Sequence, residues 1–297
     1  MAQIAQIKIT RTLLFGLIVA LHASQAGAQS GNPGPRLITV AGVAMRVWTR
    51  GIEERTAGAP VIALEAGSGA GLETWQPLFD DIAKLGPVIA YDRLGLGQSN
   101  ADPKTPTLTR NVETLHDVLH AVAPPPYLLV GHSLGGVIIR GFAHQFPSET
   151  AGMVYLDVPD FEATREERAS VLSGEARARA LQPAVMPEIP ADTPAKLRPV
   201  YEQLLIEMRD DFPSARGWTQ PPNIPVAVVV TARADRLRGD GAAMVRLQIR
   251  HQSEWTLGSP NSLFTVAGHT GHQVHRDDPA LVIAMIRHVY QRTKKAV

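Results

Sequence analysis

The 297-residue chain contains no cysteine, few aromatic residues and almost no net charge. Without cysteine it has no disulfide, no metal-thiolate site and no thiol nucleophile. A net charge of +1, with no basic stripe interleaved with aromatics, gives no electrostatic reason to expect a nucleic-acid partner. Although only 5% of the residues are aromatic, 44% are hydrophobic. That content suits one large α/β domain with an insertion.

The N-terminus also lacks an apolar run long enough to cross a membrane. Two basic residues precede the apolar residues 12–23, and Ala26-Gly27-Ala28 follows them. A membrane-spanning helix needs about 20 apolar residues, whereas this arrangement is typical of a secretory signal peptide. We predict that residues 1–28 are a signal peptide and that residues 29–297 form the mature domain, exported to the periplasm or secreted. An uncleaved membrane anchor is the alternative.

The clearest motif is Gly131-His132-Ser133-Leu134-Gly135, which lies between an apolar run and a helix-compatible run. A Gly-x-Ser-x-Gly sequence between strand and helix is a nucleophile elbow, a strained turn that exposes the serine hydroxyl at a strand's carboxyl end. Its two glycines are small because the turn and the following helix pass close together. This context favours Ser133 as a nucleophile over an ordinary glycine turn.

Short apolar strands alternate with amphipathic helices through most of the chain, which predicts a mostly parallel sheet with helices on both faces. The candidate strands cover residues 36–40, 44–48, 61–64, 87–90, 127–130, 153–156, 225–231 and 263–267. This alternation is interrupted by a segment at about residues 160–224, whose helical, proline-rich sequence is too long for an ordinary loop. We predict a helical cap over the active site; a solvated helical excursion without a substrate role is the alternative.

A glycine-rich loop follows the first buried strand, at residues 65–71. It lacks the lysine of a P-loop and the spacing of a dinucleotide fingerprint, so it predicts no nucleotide cofactor. An oxyanion hole needs a backbone amide from a loop after an early strand, facing the nucleophile. We predict the amide of Ser68 as that donor, with Gly69 as the next candidate.

A serine hydroxyl needs a base to take its proton, and the base needs a third group to hold its tautomer. Three histidines follow the last strand, namely His269, His272 and His275. His272 follows a glycine in a loop long enough to fold back over Ser133, and we predict it as the base, with His269 as the alternative. Three imidazoles can hold zinc, but spacing by three in a loop does not converge them, so we predict no metal here.

Two aspartates compete as the acid that orients the histidine. The chain order expected with this elbow is serine, acid, histidine, and both candidates satisfy it. Asp235, after the penultimate strand, is the first choice, and Asp157, directly after the preceding strand, is the rival. Either reaches the histidine if its loop turns correctly, so the sequence leaves the choice open.

Three further polar residues near these motifs are predicted to be structural. Asp92 and Arg93 follow a buried strand and should brace a tight loop through hydrogen bonds and an ion pair. His132, beside the serine, should pack within the elbow, because neighbours on a strand point to opposite faces.

Together these segments resemble the α/β-hydrolase superfamily, and most closely its capped, single-domain serine-hydrolase branch. The similar segments are the oxyanion loop at residues 64–69, the segment 91–99, the elbow at residues 131–136 and the histidine loop at residues 271–279. The family's common His-Gly is Ala66-Gly67 in this chain. The resemblance covers about residues 61–289, and the elbow and histidine loop are its specific parts.

The resemblance implies an α/β-hydrolase fold and assigns roles to the candidate residues. Ser133 would be the nucleophile, His272 the base and acid, and Asp235 the residue that orients His272. The amides of Ser68 and Leu134 would hold the oxyanion.

The activity that the resemblance implies is hydrolysis of a carboxylic ester of a small or medium apolar substrate through an acyl-serine, with no cofactor. Serine at position 133 disfavours the branches with an aspartate nucleophile, namely haloalkane dehalogenases and epoxide hydrolases. A lactonase or carbon–carbon bond hydrolase with the same triad is one alternative, and a non-catalytic binding protein with the same fold is another. Oligomeric state is not readable from the sequence.

Overall fold

The computed structural model describes residues 34–182, 188–195, 197–209, 212–259 and 261–293. The signal peptide predicted for residues 1–28 lies outside them. The strands are β1 (Arg36–Val40), β2 (Val43–Arg50), β3 (Val61–Glu65), β4 (Val88–Tyr91), β5 (Tyr127–His132), β6 (Thr150–Leu156), β7 (Val226–Thr231) and β8 (Leu263–Ala267).

These strands form one sheet in the order β1-β2-β4-β3-β5-β6-β7-β8. β1 and β2 make the predicted edge hairpin, β2 pairs antiparallel with β4, and the remaining neighbours are parallel. Every residue of β3, β5 and β7 is buried, as expected for parallel strands covered on both faces. The predicted mostly parallel sheet is confirmed.

Helices on both faces supply the crossovers that parallel strands require. They are α1 (Phe79–Ala83), α2 (Leu108–Val122), α3 (Leu134–Gln145), α4 (Arg165–Val171), α5 (Gly174–Leu181), α6 (Arg198–Arg209), α7 (Gly241–Glu254), α8 (Val274–Asp277) and α9 (Pro279–Thr293). Helices α2, α3 and α7 pack against one face of the sheet, and α1, α8 and α9 against the other. In the described part of the chain no helix combines the length and apolar character needed to cross a membrane.

Local sequence explains where several helices begin. Thr107 caps α2, since its Oγ1 accepts a hydrogen bond from the Arg110 amide at 3.0 Å. Helix α9 begins at Pro279, as predicted, and the Leu281 amide donates to Asp278 Oδ1 at 2.9 Å. Apolar residues recur at helical spacing over residues 75–85, but α1 begins only at Phe79, because Pro77 has no amide hydrogen with which to continue the 3₁₀ turn Leu72–Trp75.

The segment between β6 and β7 contains α4, α5 and α6 and corresponds to the predicted cap. Thr164 and Glu167 form a capping box at the start of α4. Tyr201 of α6 lies over the glycine-rich loop, because a Cβ built on Gly69 would be 2.9 Å from the tyrosine hydroxyl oxygen. This segment therefore approaches the body of the domain where Ser68 and Ser133 lie.

Candidate active site

The turn between β5 and α3 holds Ser133 in a backbone conformation that non-glycine residues rarely adopt, with φ 52° and ψ −125°. Such strain persists where surrounding structure enforces it, and it concentrates at functional sites. A Cβ on Gly131 would lie 2.6 Å from the Gly135 carbonyl carbon, and one on Gly135 would lie 2.3 Å from the Glu65 carbonyl oxygen. Close backbone approach therefore explains both glycines of the motif.

The Ser133 hydroxyl is at one end of a hydrogen-bonded relay. Its Oγ is 3.0 Å from Nε2 of His272, and Nδ1 of His272 is 2.7 Å from Oδ2 of Asp157. With the proton on Nδ1, His272 donates to Asp157 and accepts from Ser133, which is the tautomer needed to take the serine proton. The three residues follow β5, β8 and β6, so the carboxyl end of the sheet brings them together.

Asp235, the first choice from the sequence, does not contact His272. Its carboxylate accepts hydrogen bonds at 2.9 Å from Nε and Nη2 of Arg233, and its side chain is 53% exposed. The structure therefore corrects the assignment of the acid, and Asp157, the rival residue, occupies the position against His272. The physical reason is local: an arginine two residues away holds Asp235 at the surface.

Asp157 is buried and surrounded by hydrogen-bond donors. The Thr231 amide donates to its Oδ1 at 3.0 Å, and Nη1 of Arg236 lies 2.9 and 3.0 Å from its two oxygens. Burial by itself raises the pKa of Asp157, but the hydrogen bonds from His272, Thr231 and Arg236 outweigh it and lower that pKa below its ordinary value. Asp157 is therefore a carboxylate at neutral pH and can stabilise a protonated His272.

A cavity of about 280 Å³ opens in front of Ser133. Ser68, Leu134 and His272 line it together with Phe212 from the segment between β6 and β7. Within the described residues, neither the Ser68 amide nor the Leu134 amide donates a hydrogen bond to another group. Both predicted oxyanion donors thus remain available on the wall of the cavity that contains Ser133.

Buried charge holds the loop that carries Ser68. Arg93 pairs with Glu65 and donates from Nη1 to the Ala66 carbonyl at 2.6 Å and from Nη2 to the Gly67 carbonyl. Asp92 accepts from the Leu72 amide at 2.8 Å. These contacts confirm the predicted bracing role and extend it, because Arg93 fixes the backbone immediately before the Ser68 amide.

The other histidines near the relay have different surroundings. His132 is buried in the elbow, and its Nε2 donates to the backbone carbonyl of His272 at 2.8 Å. Burial lowers the pKa of His132 and of His275 to about 4, so both rings are neutral at pH 7 and add no positive charge beside His272. His269 lies outside the relay, with Nε2 2.8 Å from Asp278 Oδ2.

Sequence reasoning missed two contributions to this site. Arg236 binds Asp157 from a different loop, and only the fold reveals which aspartate it reaches. The hydrogen bond from His132 to the histidine loop also depends on a contact between residues 140 positions apart. One signal was visible in the sequence, since Arg233 stands two residues before Asp235 and offers that carboxylate a local ion-pair partner.

Comparisons with known proteins agree with this architecture. A model of the alpha/beta hydrolase family matches residues 64–285. An uncharacterized protein of Bacillus subtilis is 40% identical over 97 residues, which are 32% of this chain and 38% of that protein. The matched region therefore spans less than half of the Bacillus relative.

Two longer matches extend over most of this chain. An uncharacterized protein of Mycobacterium tuberculosis is 25% identical over 262 residues, covering 80% of this chain and 77% of that protein. The epoxide hydrolase CorEH has a TM-score of 0.61 at 16% identity, and the match covers 87% of this chain and 98% of that one. At this identity the structural likeness shows a shared fold and nothing about the substrate.

Proposed function

The chain belongs to the alpha/beta hydrolase family, and from that premise we propose that it is an exported serine hydrolase. Its reaction is cleavage of a carboxylic ester of a small or medium apolar substrate through an acyl-Ser133 intermediate. The observation that carries the proposal is the unbroken relay from Ser133 through His272 to Asp157, with contacts of 3.0 and 2.7 Å. An activated serine is the nucleophile that acyl transfer requires.

The distances support a two-step mechanism. Ser133 Oγ attacks the ester carbonyl carbon while its proton passes to Nε2 of His272, and Asp157 stabilises the resulting imidazolium at Nδ1. The amides of Ser68 and Leu134 donate to the carbonyl oxygen as it becomes negative. His272 then protonates the departing alcohol, and a water molecule activated by the same histidine hydrolyses the acyl-serine.

The cavity limits the size and polarity of the substrate. Its volume of about 280 Å³ lies just below the range of about 300–1,000 Å³ that is typical of small-molecule sites. Val158, Pro159 and Phe212 give its wall apolar surface beside the reacting groups. These features favour a compact apolar ester over a long-chain or highly charged one.

Alternatives on the same scaffold differ in what they require. A lactonase or carbon–carbon bond hydrolase would use the same three residues and would differ in the contacts made by the segment between β6 and β7. Epoxide hydrolysis of the kind that uses an aspartate nucleophile is disfavoured, because position 133 is serine. A binding protein without turnover does not require a nucleophile, a base and an acid that are linked by hydrogen bonds.

The decisive experiment is to treat the mature protein with a fluorophosphonate probe and map the adduct by peptide mass spectrometry. We expect labelling at Ser133 that is lost in Ser133→Ala and strongly reduced in His272→Ala. Ser253→Ala, at a half-buried serine of α7 outside the relay, is the matched control and should label normally. Turnover of short-chain aryl esters should follow the same pattern. Labelling without ester turnover would favour the lactonase or carbon–carbon bond hydrolase, and absence of labelling in the folded protein would favour the binding-protein alternative.

Export is the second part of the proposal and has its own test. The basic start, short apolar segment and Ala26-Gly27-Ala28 of the N-terminus support it. When the full chain is expressed in a bacterium, the protein should be recovered outside the cytoplasm with an N-terminus near residue 29. A full-length chain retained in the membrane fraction would indicate an uncleaved anchor instead.

A further inference from the structure

A cluster of three potential metal ligands lies where α2 approaches the turn before β6. His116 and His120 are four residues apart on α2, so their side chains lie on the same face of the helix. Glu149, in the 3₁₀ turn Pro147–Glu149, faces them. One donor atom from each residue lies within 4.8 Å of the others, and within the described residues this is the single group of three that meets that distance.

The donor atoms lie close enough together for one zinc ion to bind all three. Zn–N and Zn–O bonds are about 2.0–2.1 Å, so two ligand atoms at a tetrahedral angle lie about 3.3 Å apart. Nε2 of His116 is 3.5 Å from one Glu149 carboxylate oxygen, and Nε2 of His120 is 2.9 Å from the other. The three donor atoms lie within 4.8 Å of one another, so binding requires them to close in by about 1.5 Å at most.

Neighbouring side chains hold the two imidazoles in place. The His116 ring stacks on Phe146 at 3.9 Å with an interplanar angle of 19°, and the two histidine rings lie 4.2 Å apart. Tyr127 presents its edge to His120 at 6.1 Å. Ligands whose orientation is fixed in advance lose less entropy when they bind an ion.

The cluster is also open to solvent on one side. The side chains of His116, His120 and Glu149 are 24%, 40% and 20% exposed. An ion there keeps a position for water as its fourth ligand and has a direct path of entry. Two imidazoles and one carboxylate favour zinc and related divalent transition metals over magnesium or calcium.

We propose that His116, His120 and Glu149 form a zinc site that fastens α2 to the turn preceding β6. The site is remote from the candidate active site, since Glu149 immediately precedes β6 and Asp157 immediately follows it. At about 3.3 Å per strand residue, roughly 25 Å separates the two positions. Its role is therefore structural, and it does not depend on the proposed esterase activity.

The test uses untagged mature protein, Zn²⁺ and three variants. Calorimetric titration should give one equivalent of bound Zn²⁺, with affinity reduced about tenfold or more in Glu149→Gln and in His120→Ala. His144→Ala, at an exposed histidine outside the cluster, is the matched control and should bind Zn²⁺ like the wild type. Glu149→Gln keeps the side-chain size, so the comparison remains valid if His120→Ala proves unstable.

Two further measurements separate a built site from scattered surface binding. Zn²⁺ should raise the Tm of the wild type and of His144→Ala but not that of Glu149→Gln, and Mg²⁺ should have no such effect. In crystals grown with Zn²⁺, the anomalous signal at the zinc edge should lie between His116, His120 and Glu149. Absence of binding, equal affinity in all four proteins, or an anomalous signal only elsewhere would overturn the proposal.

Discussion

The loops after β6 and β7 each place an aspartate near the edge of the sheet where Ser133 lies, but the two carboxylates are in different environments. Asp157 is 2% exposed and accepts hydrogen bonds from Thr231, Arg236 and His272. Asp235 has a side chain that is 53% exposed, and it pairs with Arg233 two residues before it. Both residues satisfy the chain order of a serine, acid, histidine triad, so chain order alone does not identify the acid.

The difference shows what makes a carboxylate useful in such a relay. A triad acid must be ionised, held rigidly and shielded from water, so that its charge acts on the histidine. Asp157 meets these conditions because the fold surrounds it with donors from another loop. Asp235 is also ionised, since the hydrogen bond from Arg233 lowers its pKa to about 2, but its charge is exposed to solvent and directed at a neighbouring arginine.

The largest expected effect comes from exchanging each carboxylate for its amide. Asp157→Asn should lower kcat for an aryl ester on the order of 10⁴-fold, because the amide cannot hold His272 in the required tautomer. Asp235→Asn should stay within about threefold of the wild type, as for a surface substitution. Steady-state kinetics on both variants, with circular dichroism to confirm folding, measures this directly.

A large loss of activity in Asp235→Asn with retention in Asp157→Asn would reverse the assignment. The fluorophosphonate reaction gives an independent reading, because labelling of Ser133 reports on the histidine and acid without a natural substrate. It should slow in Asp157→Asn and continue normally in Asp235→Asn.

The second effect is on stability and depends on pH. The pKa of Asp157 is lower in the folded state than in the unfolded chain, because the hydrogen bonds from His272, Thr231 and Arg236 outweigh burial. A carboxylate whose pKa is lower in the folded state stabilises that state at a pH above its pKa in the unfolded chain, which is about 3.9. This stabilisation is lost as the pH falls through the pKa of the folded state. Asp157→Asn should therefore cost about 1–3 kcal/mol at pH 7.

That difference between wild type and Asp157→Asn should shrink as the pH falls below about 4, because protons then bind the carboxylate of the unfolded wild-type chain first and that of the folded protein only at lower pH. Urea unfolding at a series of pH values at which both proteins remain folded measures it. A difference that is constant across the series would mean that the charge of Asp157 contributes nothing to stability.

The third effect comes from the arginines that bind the two aspartates. Arg236 reaches both oxygens of Asp157 from the β7 loop, with contacts of 2.9 and 3.0 Å. Arg236→Met should lower kcat about tenfold, the equivalent of one lost charge-assisted hydrogen bond, because Asp157 is then held less firmly. Arg233→Met, which removes the partner of Asp235, is the matched control and should leave kcat within about twofold. Equal effects in the two variants would contradict the comparison.

The sequence predicted the parts of this site that depend on local pattern. Ser133 was identified by two glycines at fixed spacing between a strand and a helix, and steric contact explains both. The strand and helix pattern likewise predicted the parallel sheet and its edge hairpin. His272 followed from its position after the last strand. Each of these predictions rests on a sequence pattern within a few residues or one strand–helix unit, although His272 itself contacts Ser133 across 139 positions.

The sequence did not determine contacts between distant loops. Asp157 contacts Thr231, Arg236 and His272, which are between 74 and 115 positions away. Arg93 reaches the backbone before Ser68 from the loop that follows β4. No periodicity or spacing encodes such encounters, because they depend on how β6, β7 and β8 are ordered in the sheet.

The smallest expected effect comes from breaking the surface ion pair between Arg233 and Asp235. Arg233 and Asp235 lie 2.9 Å apart with side chains that are 50% and 53% exposed, and exposed ion pairs are weak and screened by salt. Asp235→Asn should therefore change Tm by less than about 2 °C, and added salt should reduce that change further. Thermal unfolding at low and high ionic strength gives the comparison, with Asp157→Asn alongside. Because Asp157 is buried, the larger Tm change in Asp157→Asn should persist at high salt. A Tm change in Asp235→Asn of the same size and salt resistance would contradict the difference in environment between the two carboxylates.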